Sequence, residues 1–237
     1  MNYLKNRTIF KLYEKVQPFL DYKITLRPEL PGQNVLAVVV NVGDEVLGCG
    51  GTLLKHISEG GQVDILYCSV SNSEDVQEYE KVAHAIGAKN VHFTPYKKNN
   101  FDKVKFQQTL SNLLSKVNPD IVFVPSMLEL DPANRAISKA LVKIKQKESL
   151  DFLVFAYSSF LPILPNTLID ISKFAAKKKQ ILEYVNQIQR GAVRDYVKIA
   201  QGISQYWGQI EDTSINFAEA FLMLTADKYT TLAKKTL

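Results

Sequence analysis

The chain has 237 residues, of which 46% are hydrophobic and 22% charged, with a formal net charge of +5. That apolar content can bury a sizeable core, which excludes a disordered or collagen-like chain, and a domain of roughly 150 residues as the usual unit favours one large α/β domain over two. Apolar runs such as Val35 to Val40 fall far short of the ~20 residues that a membrane helix needs, so no membrane span is expected.

Lys5, Arg7, Lys11, Glu14 and Lys15 interrupt the apolar positions of the first twenty residues, leaving no continuous export-signal core. A cytoplasmic location is expected. Cys49 and Cys68 fit neither a disulfide framework nor a zinc or redox spacing and read as buried thiols. The positive charge is spread over lysines such as Lys97-Lys98, Lys143/Lys145/Lys147 and Lys177-Lys178-Lys179. These read as solvated helix faces with a weak preference for anionic ligands, and no nucleic-acid partner is expected.

In chain order, residues 1–30 form an N-terminal extension whose Leu4, Ile9, Leu12, Val16 and Leu20 fall at helical spacing. Residues 31–237 read as a single α/β domain. Strands are expected at Val35–Asn41, Val63–Ser69, Val91–Thr94, Ile121–Ser126 and Phe152–Tyr157. Helical stripes lie between them, for example Val76, Tyr79, Val82, Ala83 and Ile86, or Ala136, Ile137, Ala140, Leu141 and Ile144. Gly60-Gly61, Gly87 and Asn118-Pro119 mark helix ends. The alternation implies repeated βαβ units: a mostly parallel, Rossmann-like sheet flanked by helices, with Val35–Val40 as the central strand. After Ile171 the pattern is helical to about Tyr206, giving a helical C-terminal part. An apolar segment, Phe217 to Leu224, and a polar tail follow.

Ligands in such sheets bind beyond the carboxyl ends of the strands. Candidate loops are therefore Asn41–Glu45, Ser69–Asp75, Thr94–Lys98, Ser126–Asn134 and Tyr157–Asn166. Asp44 and Glu45 could serve simply as acidic residues at a helix N-terminus. The nearby glycines fail the G-x-G-x-x-G fingerprint and suit close helix packing instead. His56 lies twelve residues beyond Asp44 on the same helix, about 18 Å away at 1.5 Å per residue, so it cannot join Asp44 around a metal. His84 falls on an outer helix and His92 inside a strand. Tyr157, Phe160, Asn166, Tyr96, Arg135 and Asn72 are the candidates for stacking and hydrogen bonding around a sugar.

The stretch PGQNVLAVVVNVGDEVLGCGGTLLKHISEGGQVDILYCS resembles the opening of the PIG-L/LmbE family of N-acetylglucosamine deacetylases, whose signature is A-H-P-D-D-E-x-x-G-C-G-G. PDIVFVPSMLELDPANRA resembles that family's P-D-x-V-F-x-P and H-P-D-H-R-A segment, and FLPILPNTLIDIS, Lys178, Gln187 and NFAEAF resemble its C-terminal part. The resemblance runs from about Pro31 to Leu224. It implies zinc held by two histidines and an aspartate, with a further carboxylate activating water.

At the matching positions Asn41 and Asn134 replace the zinc histidines, Gly43 the general-base aspartate, Asp131 the protonated histidine and Ala133 its supporting aspartate. Only Asp44 is retained, as the one family metal ligand. A carboxamide is a far poorer zinc ligand than imidazole, and loss of a general base costs roughly 10²- to 10⁴-fold in rate. The expectation is a catalytically inactive pseudo-deacetylase without a cofactor. It would bind an N-acetylated sugar or glycoconjugate precursor through Asn41, Asp44, Arg135, Asn134 and Asn166, with a homo-oligomer or a partner enzyme as the expected assembly. The alternative is an active metal-dependent amide hydrolase with a rebuilt, oxygen-rich site from Asn41, Asp44, Asp131 and Asn134. Such a site would bind Zn²⁺, Mg²⁺ or Mn²⁺ weakly, with Asp131 as base.

Overall fold

The computed structural model describes residues 23–69, 73–94, 103–149, 151–159, 163–189, 195–211 and 214–236, together with residues 11 and 15. The apolar positions expected of the first twenty residues, and Asn72, Tyr96 and Phe160, lie outside them. Eight strands form one sheet: β1 (Thr25–Arg27), β2 (Asn34–Val39), β3 (Gln62–Tyr67), β4 (Asn90–Phe93), β5 (Ile121–Pro125), β6 (Leu153–Tyr157), β7 (Thr167–Asp170) and β8 (Ala218–Thr225). The helices of the described residues are α1 (Asp44–Ser58), α2 (Ser73–Ile86), α3 (Lys103–Val117), α4 (Pro132–Lys145), α5 (Ala175–Ile188), α6 (Tyr196–Glu211) and α7 (Ala226–Thr236).

The strand order is β1-β7-β8-β6-β5-β2-β3-β4, and β8 alone runs against its neighbours. Within the parallel block β6-β5-β2-β3-β4, strand β2 is the middle one, as its unbroken apolar run requires. Its side chains alternate between two cores. Val35, Ala37 and Val39 pack with α1, α2, α5 and α6, whereas Leu36, Val38 and Val40 pack with α3, α4 and α7. Helices stop at Gly60, Gly87 and Asn118, where the backbone turns to positive φ.

All five expected strands form. The sheet adds three that the sequence pattern does not mark as strands, β1, β7 and β8. β1 is only three residues long, β7 only four, and β8 shows no polar alternation because it is buried between β6 and β7. Part of the segment set apart as an extension thus contributes the strand that flanks β7. The polar tail after Leu224 is α7, amphipathic enough to bury Tyr229 and Leu232. Among the described residues no helix is long and apolar enough to cross a membrane.

The chain moves outward from β2 to β3 and β4, then returns to β5 on the other side of β2. The strand order therefore reverses between β2 and β5, and the loops after these two strands open a crevice at that point.

Candidate functional site

The loop leaving β2 enters α1 through Gly43, which has φ 94°. Left-handed backbone costs a non-glycine residue roughly 1–2 kcal/mol. Space is also closed there, because a Cβ on Gly43 would stand 2.6 Å from Val185 Cγ1. The tight entry buries both acids that follow, Asp44 and Glu45, to 2% and 0% exposure. They are therefore more than exposed dipole partners at a helix start.

Asp44 Oδ2 accepts the Asn41 backbone N–H at 3.2 Å and the Asn41 Nδ2 at 3.4 Å. Burial pushes the Asp44 carboxyl up to about 7. The two Asn41 hydrogen bonds oppose that rise, and Glu129 and Asp131 add to it by repulsion. Glu45 accepts the Gly43 N–H at 2.9 Å on Oε2 and the Tyr67 hydroxyl at 2.6 Å on Oε1. Burial pushes it up to about 8 against the pull of the Tyr67 bond. Neither carboxyl has an ion-pair partner among the described residues.

Across the crevice, the loop after β5 supplies Glu129, Asp131, Asn134 and Arg135. Asp131 caps α4 by accepting the Ala133 N–H at 2.8 Å, with Pro132 in the first turn, where its missing N–H costs nothing. Glu129 is buried and accepts the Ser159 N–H at 2.7 Å, which ties the loop after β5 to the loop after β6. Arg135 Nη1 donates to the carbonyls of Glu129 and Leu130 at 2.9 and 2.7 Å and so fixes the shape of this loop. Asn134 is buried in the first turn of α4, and its Oδ1 has no hydrogen-bond partner among the described residues.

The fold thus brings Asp131 to the side of Asp44 and leaves Asn41 bonded to Asp44 directly. Asn166 does not join them. Its side chain bridges the Met223 N–H and C=O, at 2.8 and 2.9 Å, and so secures the β7–β8 pairing rather than a ligand. Tyr157, expected as a stacking face, is fully buried, and a Cβ on Gly48 would reach 2.1 Å from its ring. It is core, and the glycine run in α1 serves close packing as its composition suggests. The histidines lie elsewhere: His56 contacts the Gln33 carbonyl at 3.0 Å, His92 pairs with Asp64 at 2.9 Å on β4, and His84 is exposed on α2.

Two features are not evident from the sequence. Glu129 stands two residues before Asp131 in a loop already marked by the strand-end rule, and that placement is the signal that could flag it. The second is a buried pair, Lys178 to Glu219 at 2.7 Å. Lys178 also donates to the Leu47 carbonyl at 2.9 Å, and Glu219 accepts the N–H groups of Gly51 and Thr52 at 2.8 Å each, inside the ladder of α1. The sequence marks Lys178 through the family resemblance and reads it as part of a solvated lysine run, but Lys178 is buried because Glu219 draws its charge inward, and nothing in the spacing links it to a residue 41 positions away.

Solved structures share this helix-flanked, mostly parallel sheet. The conserved protein TT1542 from Thermus thermophilus superposes with a TM-score of 0.68 at 24% identity, covering 80% of this chain and 94% of that one. The N,N'-diacetylchitobiose deacetylase from Pyrococcus horikoshii gives 0.68 at 19% identity, covering 97% and 96%. GalB, the 4-carboxy-2-hydroxymuconate hydratase of Pseudomonas putida KT2440, gives 0.61 at 16% identity over 81% and 96%, so the same fold also carries a different reaction.

Residues 36–145 match the model of the PIG-L family, described as GlcNAc-PI de-N-acetylase. No curated protein sequence matches the chain significantly.

The zinc ligand set implied by that family does not fit the residues present. Asn41 donates both its backbone N–H and its side-chain N–H to Asp44 Oδ2, at 3.2 and 3.4 Å. Asn41 then offers Asp44 a donor instead of joining it as a ligand. Asn134 offers one neutral oxygen. Among the described residues no three His, Cys, Asp or Glu side chains converge as a metal-binding group.

Proposed function

We propose that this chain is a PIG-L/LmbE-like protein that has lost the family's amide hydrolysis. It would instead hold an N-acetylated sugar or glycoconjugate in the crevice beside Asp44, acting in the cytoplasm in polysaccharide or glycoconjugate metabolism, alone or with a partner enzyme. The observation that carries this reading is Gly43. The position matching the general base has no side chain, a left-handed backbone and no room for a Cβ. The ligand class is supported by the names of structural neighbours, an N,N'-diacetylchitobiose deacetylase and a deacetylase in complex with teicoplanin. Asn41, Asp44 and Asn134 are the groups offered to such a ligand, and Arg135 holds the loop that carries Asn134.

A second reading, a deacetylase with a rebuilt oxygen-rich metal site, draws on the unpartnered Asn134 Oδ1 and on the closeness of Glu129 and Asp131 to Asp44. Asp131 would then be the base, although one of its oxygens is committed to capping α4. Amine release from N-acetylglucosamine conjugates, measured with Zn²⁺, Mn²⁺ or Mg²⁺ present, separates the two. No release above an Asp44→Ala control, together with saturable binding of the intact conjugate by calorimetry, is expected. Turnover that Asp44→Ala abolishes would establish the second reading.

A further inference from the structure

A groove of about 510 Å³ runs along the outer face of α4, between α3 and α7. Its volume lies within the range of small-molecule sites, roughly 300–1,000 Å³. The floor is apolar and shallow in side chains, formed by Pro132, Ala136, Ala140 and Val142, with Phe106 on one wall and Ala233 on the other. Among the described residues five cations line it, Lys103, Arg135, Lys139, Lys143 and Lys234, and no aspartate or glutamate does. The groove therefore gathers as much positive charge as the whole chain carries net.

Three of these cations, Arg135, Lys139 and Lys143, repeat every fourth residue of α4, about 6 Å per step. Like charges at that spacing repel and weaken the helix that bears them. Some lysines outside the groove are ion-paired. Lys145, on α4 but off the groove, pairs with Asp227 at 3.3 Å, and Lys81 with Glu78 at 2.8 Å. The four groove lysines have no ion-pair partner among the described residues. Arg135 is already anchored by its bonds to the carbonyls of Glu129 and Leu130, so one charge is held in place before any ligand arrives. A local penalty left uncompensated inside a concave, apolar-floored surface marks a site awaiting its counter-charge.

We propose that this groove binds a small organic anion with an apolar body. Its phosphate or carboxylate would lie among Lys139, Lys143 and the flanking Lys103 and Lys234, and its apolar part along Ala136, Ala140 and Phe106. The low-dielectric floor strengthens each charge contact relative to bulk water. The inference is independent of whether the crevice at Asp44 is catalytic.

The test is titration of the full chain with dodecyl phosphate below its micelle concentration, followed by backbone amide NMR. Dodecyl maltoside serves as the uncharged counterpart and inorganic phosphate as the bare anion. Saturable shifts confined to the outer face of α4 and the facing turns of α3 and α7 are expected for dodecyl phosphate alone. Affinity should fall at least about tenfold in Lys139→Glu/Lys143→Glu, a double change whose melting curve verifies folding, and again on raising salt. Ala136→Leu, which fills the floor and keeps every charge, should also weaken binding. Equal binding of dodecyl maltoside, equal shifts with inorganic phosphate, or an affinity indifferent to Lys139→Glu/Lys143→Glu would each overturn the proposal.

Discussion

Helix α1 meets buried carboxylates at two places and treats them in opposite ways. Halfway along, Glu219 reaches in from β8 and is matched on every side, by Lys178 and by the N–H groups of Gly51 and Thr52. At the N-terminus, Asp44 and Glu45 are just as deeply buried but receive only N–H and O–H donors, and Asp44 faces further acids in Glu129 and Asp131. Burying an ion is tolerable when a counter-charge and hydrogen bonds replace water, and costly otherwise. The first arrangement builds the fold. The second persists at a strand-order switch point, where ligands bind in sheets of this type.

The sharpest way to break the contrast is Lys178→Met. It would strand Glu219 as a buried charge and should cost about 3–5 kcal/mol in denaturant unfolding, with much of the loss recovered when Glu219→Gln is added. A loss below about 1 kcal/mol would mean that the pair does not hold α1.

Asp44→Asn should act in the other direction. The folded carboxyl sits at about 7 and the unfolded one near 3.8. Between those values the unfolded chain is ionised while the folded one keeps its proton. Raising pH through that window therefore favours unfolding, and the cost is fully present above about pH 7. Glu45 extends the same trend to about pH 8. Stability should fall from about pH 4 to about pH 8, and Asp44→Asn should recover roughly 2–3 kcal/mol at the upper end while flattening the profile below about pH 7. Identical pH profiles for the two proteins would remove the distinction between the two carboxylate regions.

Smaller effects are expected at the backbone that shapes the crevice. Gly43→Ala adds a Cβ at positive φ and against Val185, and should cost about 2 kcal/mol in thermal unfolding. Arg135→Ala removes two hydrogen bonds to the loop after β5 and should cost about 1 kcal/mol, with the change in amide exchange confined to residues around 129–131. A global rather than local change in exchange would show that Arg135 supports the core instead of the rim.

The parts of the molecule that can be read from the chain are those governed by one periodicity at a time. β2 through β6 announce themselves because each is apolar, followed by a stop and then a 3.6-residue stripe. β7 is too short to show a pattern, and β8 is visible only as an apolar segment because it is covered on both faces. The crevice at Asp44 follows from the strand-end rule and the resemblance together. Its electrostatics do not, because the Lys178–Glu219 pair and the approach of Glu129 to Asp44 depend on packing between distant elements. Asn166 shows the converse error. A polar residue beyond a strand end suggests ligand binding, yet the backbone of β8 claims its amide.

The most direct measurement is equilibrium dialysis of the purified chain against Zn²⁺ at neutral pH, alongside Asp44→Ala. Zinc well below one equivalent, unchanged by Asp44→Ala, is expected under the proposed reading, in which Asn41, Asn134 and Gly43 stand where the resemblance puts the family's histidines and base. One tightly held equivalent that disappears with Asp44→Ala would contradict the loss of metal chemistry at this site.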